Sequence, residues 1–172
     1  MSDRKLFGSK KEIEGFAERL KKIRTLDGGW STEYVDIETG KHWIEYLVDD
    51  RAFLENLMLI SPKPTTDELI DIAFMSHYPD EVSAAATRLT IEERNDKIEF
   101  RQKLLTRLSQ IDLLKLDQQE KERIKIIIFA SQLIDGGNKR EIVGKNIVDI
   151  QSDASFFEAT SKKAKEILNG LR

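Results

Sequence analysis

Two histidines, a few clustered carboxylates and two tryptophans are the side chains in this 172-residue chain with the most chemistry to offer. His42 and His77 stand 35 positions apart and belong to no HExxH or other ligand-spaced group, so the sequence points to no metal site. Cys is absent, which removes a thiolate nucleophile, a disulfide framework and a Cys-ligated zinc. Gly28-Gly29 and Gly136-Gly137 sit where helices should stop, and neither matches a phosphate-binding loop. No serine lies in a nucleophile elbow. Asp36, Glu45, Asp49 and Asp50 surround one aromatic stretch. Such carboxylates can hold Mg²⁺ in a nuclease or phosphatase, with Lys41 as the neighbouring cation. Acidic residues number 31, however, so scattered carboxylates are expected from composition alone. The reading is therefore a non-enzyme without cofactor, and a metal-dependent hydrolase ranks third.

The same stretch offers a different chemistry. Trp30, Tyr34, Trp43 and Tyr46 gather within residues 30–46, and aromatic side chains anchor interfaces as well as cores. Two β-rich runs flank Glu38-Thr39-Gly40 and predict a hairpin over Trp30 to Val48. A two-residue Thr39-Gly40 loop would pair Tyr34 with Glu45 and mix polar with apolar side chains. A three-residue loop with Gly40 left-handed pairs Tyr34 with Ile44 and Asp36 with His42, and it collects Trp30, Tyr34, Ile44, Tyr46 and Val48 on one face. That register is preferred. It leaves Glu33, Asp36, His42, Trp43 and Glu45 on or beside the exposed side as the candidate partner-binding residues. An acidic hairpin of this kind suits a basic protein partner, attracted by charge.

A helical frame must position the hairpin. Ser9 with Glu12 has capping-box spacing, and Ile13, Phe16, Ala17, Leu20 and Ile23 predict a first helix over Ser9 to Leu26. Asp49-Asp50-Arg51 is expected to open another helix, through Phe53, Leu54, Leu57 and Met58. Ser61-Pro62-Lys63-Pro64 ends it. Thr65 with Glu68 again has capping-box spacing before Leu69, Ile70, Ala73 and Phe74, and Pro79 separates this helix from one carrying Val82, Ala85, Ala86 and Leu89. Further helices are expected over Ile91 to Leu114, half-exposed because Arg94 and Arg101 interrupt its apolar seam, unless these arginines face an acidic partner groove, and over Gln118 to Ile134, capped by Asp117 and buried nearly all round. A last helix is expected over Ser155 to Leu171, with Phe156 inward. Lys139 to Asp153 fits a short helix or an edge strand.

The sum is an α+β fold, predominantly α: a multi-helix body with one N-terminal aromatic β-hairpin. One domain over 1–172 is expected, with lobes at 1–61 and 65–172. A net charge of −3 gives no reason to expect nucleic acid, and the longest apolar run, Ile126 to Ala130, is too short to span a bilayer. The N-terminus lacks a secretory pattern, and a cytoplasmic protein is expected. Oligomeric state is left open.

Two resemblances add to this. The helix pair from Thr65 to Leu89, with its proline-marked turn and small alanines, resembles one HEAT or armadillo-type unit, without a second copy at a fixed period. It implies an adaptor that holds a partner in the groove between its helices, with Arg88 and Arg94 as contacts. The stretch Gly29-Trp30 … Tyr34-Val35-Asp36 … Thr39-Gly40 … Trp43 resembles a pattern in bacterial immunity proteins that accompany polymorphic toxins. That resemblance covers Gly28 to Val48 and implies stoichiometric binding of a cognate toxin domain, with no turnover.

Overall fold

A computed structural model describes residues 4–49, 54–96 and 99–172, with the side chains of 49 and 94–96 excepted. Its chain forms two compact units, Met1–Ala85 and Ala86–Arg172. Helix holds the larger share of the described residues, 53% against 18% strand. The strands form a five-stranded antiparallel sheet, which corrects the expectation of a helical body bearing one hairpin.

In the first unit the order is β1 (Leu6–Phe7), α1 (Lys10–Ala17), β2 (Leu20–Leu26), β3 (Ser31–Asp36), β4 (His42–Asp49), β5 (Leu54–Leu59), α2 (Thr66–Met75) and the start of α3 (Pro79–Asp96). The spatial order is β1-β5-β4-β3-β2. The expected hairpin exists as β3–β4, now inside the sheet. Its partners on either side come from segments read as helices. Ser9 does cap α1 by accepting from the Glu12 N–H, but the helix ends at Ala17 and Leu20–Leu26 turns back as a strand along β3. Leu20 and Ile23 keep helical spacing only by coincidence with a strand whose register slips at Ile23. Leu54–Leu59 pairs with both β4 and β1, not with a helical neighbour, and it is buried on both faces from Asn56 to Leu59. A strand buried on both sides loses polar alternation, and that erased its signature. The expected helix start at Asp50-Arg51 and Phe53 lies outside the described residues.

The core on the α1 side joins Phe7, Ile13, Trp43, Leu57 and Leu59, with Phe16, Leu20 and Tyr34 packed against it. The Phe16 ring lies 4.7 Å from Phe7 and 4.8 Å from Trp43, centre to centre. The short edge strand β1 is closed by α3. Glu81 Oε1 accepts the Lys5 and Leu6 backbone N–H groups at 2.9 and 3.2 Å, and Asp80 Oδ2 accepts from Gly8 N and from Arg4 at 3.1 and 2.5 Å. Gly8 allows this approach, because a Cβ there would meet the Asp80 carbonyl oxygen at 2.4 Å. Thr65 and Glu68 form the full reciprocal capping box of α2.

In the second unit α3 runs on to Asp96, followed by α4 (Arg101–Ser109), α5 (Gln118–Ala130) and α6 (Ile147–Gly170). The expected helix over Ile91 to Leu114 is thus divided between α3 and α4, with 97–98 outside the described residues. Arg101, expected to interrupt the seam of a half-exposed helix, is 1% exposed. Its guanidinium forks onto the Glu93 carboxylate at 2.9–3.0 Å, donates to the Gln132 carbonyl and lies over the Phe100 and Phe157 rings. A buried guanidinium with this many acceptors and ring faces is a structural pin. Asp117 caps α5 with Glu120 in a second capping box, but the helix stops at Ala130. It buries Ile124, Ile127 and Ile128 while Phe129 stands out, so it is not buried all round. The final helix opens at Ile147 under an Asn146 cap, eight residues before the expected start, and buries Phe157 where Phe156 had been expected.

Candidate functional site

The β3–β4 register decides what the hairpin can present. Ile37, Glu38, Thr39 and Gly40 form a four-residue loop, closed by Asp36 N–H to the Lys41 carbonyl and Gly40 N–H to the Asp36 carbonyl, each 2.8 Å. Tyr34 therefore pairs with Trp43 and Val35 with His42, one residue away from the preferred register. A one-residue slip exchanges the two faces. The expected apolar face of Trp30, Tyr34, Ile44, Tyr46 and Val48 is thereby broken up, and the five candidate residues separate.

Trp43 is 3% exposed and sits in the α1-side core, which corrects its expected place on an exposed side. Asp36 lies at the root of the loop, 2% exposed, where it accepts from Thr39 Oγ1, the Glu38 N–H and Arg19. Burial pushes its carboxyl up. The Thr39 hydroxyl, the Glu38 N–H and the Arg19 guanidinium outweigh that and hold it below the usual carboxylate range. Asp36 is committed to shaping the turn. Glu45 accepts from Tyr34 Oη at 2.8 Å, and burial together with this carboxylate pushes the Tyr34 phenol up to about 12.

Glu33 and His42 are brought together on the opposite face. Glu33 is 8% exposed; its Oε1 stands 3.1 Å from His42 Nδ1, and its Oε2 accepts from Arg24 Nε at 2.6 Å. The His42 and Arg24 hydrogen bonds, in that order, hold the Glu33 carboxyl below its ordinary value. A carboxylate that fixes Nδ1 leaves Nε2 as the working nitrogen of a base. No described serine, threonine or lysine is hydrogen-bonded to that nitrogen, so the arrangement is an oriented histidine rather than an activated nucleophile. No group of three or more His, Asp or Glu side chains among the described residues could hold a metal ion. His77 is exposed in the α2–α3 turn.

Two carboxylates of the expected acidic face are thus ion-paired, Glu33 with Arg24 and Asp36 with Arg19, while Lys21 and Lys22 on β2 are exposed. β2 is the outer strand, with no described strand on its far side. At one end of the sheet, where β3 and β5 begin, Trp30 is 59% and Leu54 56% exposed. The Trp30 carbonyl accepts from the Leu47 N–H, and its own N–H closes the Asp27-Gly28-Gly29 turn. The backbone is fixed while the indole stands free. The observed register puts Trp43 on the same face as Tyr34 and Trp30; Trp30 is exposed because it ends the Asp27–Gly29 turn, before β3 begins.

No family model, no curated protein and no solved structure matches this chain. No helix among the described residues is long and apolar enough to cross a membrane.

Proposed function

We propose that the protein works by stoichiometric binding to another protein, as an immunity-type inhibitor of a toxin domain. The contact surface in this proposal is the Trp30 end of the sheet together with the outer strand β2. Trp30 carries the reading. It is a large amphipathic side chain, 59% exposed, on a backbone held by the sheet. Tryptophans so displayed dominate binding energy where they occur in interfaces, and a fixed backbone lowers the entropy lost on docking. Leu54 at the same end adds apolar area. Lys21 and Lys22 add unneutralised positive charge along the edge, so the complementary face of the partner is acidic where it meets β2. The resemblance of Gly29-Trp30 … Trp43 to immunity proteins supports the same reading, since its residues all fall on the β3–β4 hairpin and the turn before it.

The test is affinity capture from the native host at moderate salt, followed by mass spectrometry and mixing of the two purified proteins. A one-to-one partner that binds at least tenfold more weakly to Trp30→Ala supports the proposal. Recovery of no stoichiometric partner, or of one held equally by Trp30→Ala and by the Lys21→Glu/Lys22→Glu pair, overturns it.

A further inference from the structure

We infer that the loop before α6 and the first turn of α6, in the second unit, form a docking surface for a protein that offers an apolar helical face bordered by lysine or arginine. Ile142, Val143, Ile147 and Val148 are 55%, 82%, 73% and 73% exposed, within seven consecutive residues. Ile142 and Val143 in the loop and Ile147 and Val148 at the start of α6 form an apolar patch that water disfavours. Exposure here is not a loose end of chain. Lys145 N–H bonds to the Ile142 carbonyl at 3.2 Å, closing a turn with Gly144 at φ 78° and Val143 at its tip. Glu141 Oε1 accepts the Ile142 and Val143 N–H groups, both at 3.1 Å. Asn146 caps α6 by accepting the Asp149 N–H at 2.9 Å.

Both flanks are tied to one carboxylate. Arg140 and Lys145 each reach Asp153 at 2.5 Å, and Arg140 also reaches Glu99 at 2.7 Å and lies over the Phe156 ring. The loop is therefore ordered by polar contacts made beneath it, while its apolar side chains face outward. Branched side chains on a fixed backbone lose little further freedom on docking.

The charges select the occupant. The loop's three cations are all turned inward, Lys139 onto Asp135 and the other two onto Asp153. The carboxylates of the loop and its anchors number five: Glu99, Asp135, Glu141, Asp149 and Asp153. Three positive against five negative charges leaves a net −2, with Glu141 and Asp149 outermost and exposed. An acidic rim repels anionic lipid headgroups. It also repels itself across a two-fold axis, which disfavours a second copy. An apolar helical face with a basic border satisfies both the patch and its border. The surface shares no residue with the one proposed around Trp30.

The experiment uses the full chain and two fluorescent amphipathic helical peptides, one of leucine and lysine and one of leucine and glutamate. The leucine–lysine peptide is expected to bind at least tenfold tighter than its glutamate counterpart. Val143→Ser with Val148→Ser is expected to weaken it at least tenfold, with circular dichroism unchanged, and Trp30→Ala to leave it unchanged. Equal binding of both peptides, binding that survives the serine pair, or no binding overturns the inference. Self-association that the serine pair abolishes would assign the patch to a second copy, and uptake onto phosphatidylserine vesicles would assign it to lipid; either refutes the stated partner. Loss of peptide binding in Trp30→Ala would merge this surface with the Trp30 surface and also refute it. A failed capture in the Trp30 test leaves the peptide result standing, so the two proposals fail separately.

Discussion

The two tryptophans should respond to truncation in opposite ways, and the difference can be worked from their surroundings. Trp43 is 3% exposed and touches Phe7 and Phe16 at ring separations of 5.7 and 4.8 Å. Trp43→Ala removes a bicyclic ring from between α1 and the sheet, and the cavity and transfer losses for a buried Trp amount to about 3–5 kcal/mol. With a urea m-value of about 2 kcal/mol per molar, that moves the unfolding midpoint of the sheet-containing unit down by about 2 M. The indole Nε1 is buried and finds no acceptor among the described residues. Trp43→Phe therefore loses ring volume but also removes an unsatisfied donor, and these offset to within about 1 kcal/mol of wild type. Trp30, by contrast, is 59% exposed, and its truncation should move stability by about 0.5 kcal/mol or less. Urea titration followed by far-UV circular dichroism reads all three. A Trp43→Ala cost below about 1 kcal/mol, or a Trp30→Ala cost as large as that of Trp43→Ala, would refute the register and the core built on it.

Other consequences are as direct. Gly8→Ala should destabilise by about 1–3 kcal/mol in the same titration, because its Cβ would press on the Asp80 carbonyl and part β1 from α3. Arg101→Met should cost about 3–5 kcal/mol by leaving the largely covered Glu93 carboxylate without its partner, and Arg101→Met combined with Glu93→Gln should recover part of that loss in a double-mutant cycle. Glu68 should titrate at about 2 rather than 4.5 in carboxyl NMR, held down by the Lys5 ammonium and the Thr65 cap. Because the folded value is the lower one, its contribution to stability is present above about pH 4.5 and is lost as pH falls toward 2. Lys5→Ala should bring the titration back toward 4.5.

Local signals in the sequence locate three helix starts. Ser9, Thr65 and Asp117 each act as caps as expected, because a cap is satisfied by residues three positions away. The Thr39-Gly40 turn was equally visible, but not its register. The Asp36 carboxylate gathers the Thr39 hydroxyl and the Glu38 N–H and so widens the loop to four residues. That choice depends on a buried acid and on Arg19 from outside the hairpin. Leu20–Leu26 and Leu54–Leu59 were illegible as strands for a related reason: each is made a strand by pairing with residues far along the chain, and β propensity follows such context. The candidate site inherited these errors. Glu33 and His42 do meet, whereas Trp43 lies in the core because the true register is one residue from the expected one; Trp30, on the Tyr34 face in either register, is exposed by its place in the turn before β3.

The two indole N–H signals of this protein allow one decisive measurement. Adding the captured partner to labelled wild-type protein and following both signals by NMR tests the binding surface directly. The account predicts that the Trp30 signal shifts and saturates at one equivalent while the Trp43 signal, buried against Phe7 and Phe16, holds its position. A Trp30 signal unmoved at saturation would contradict it.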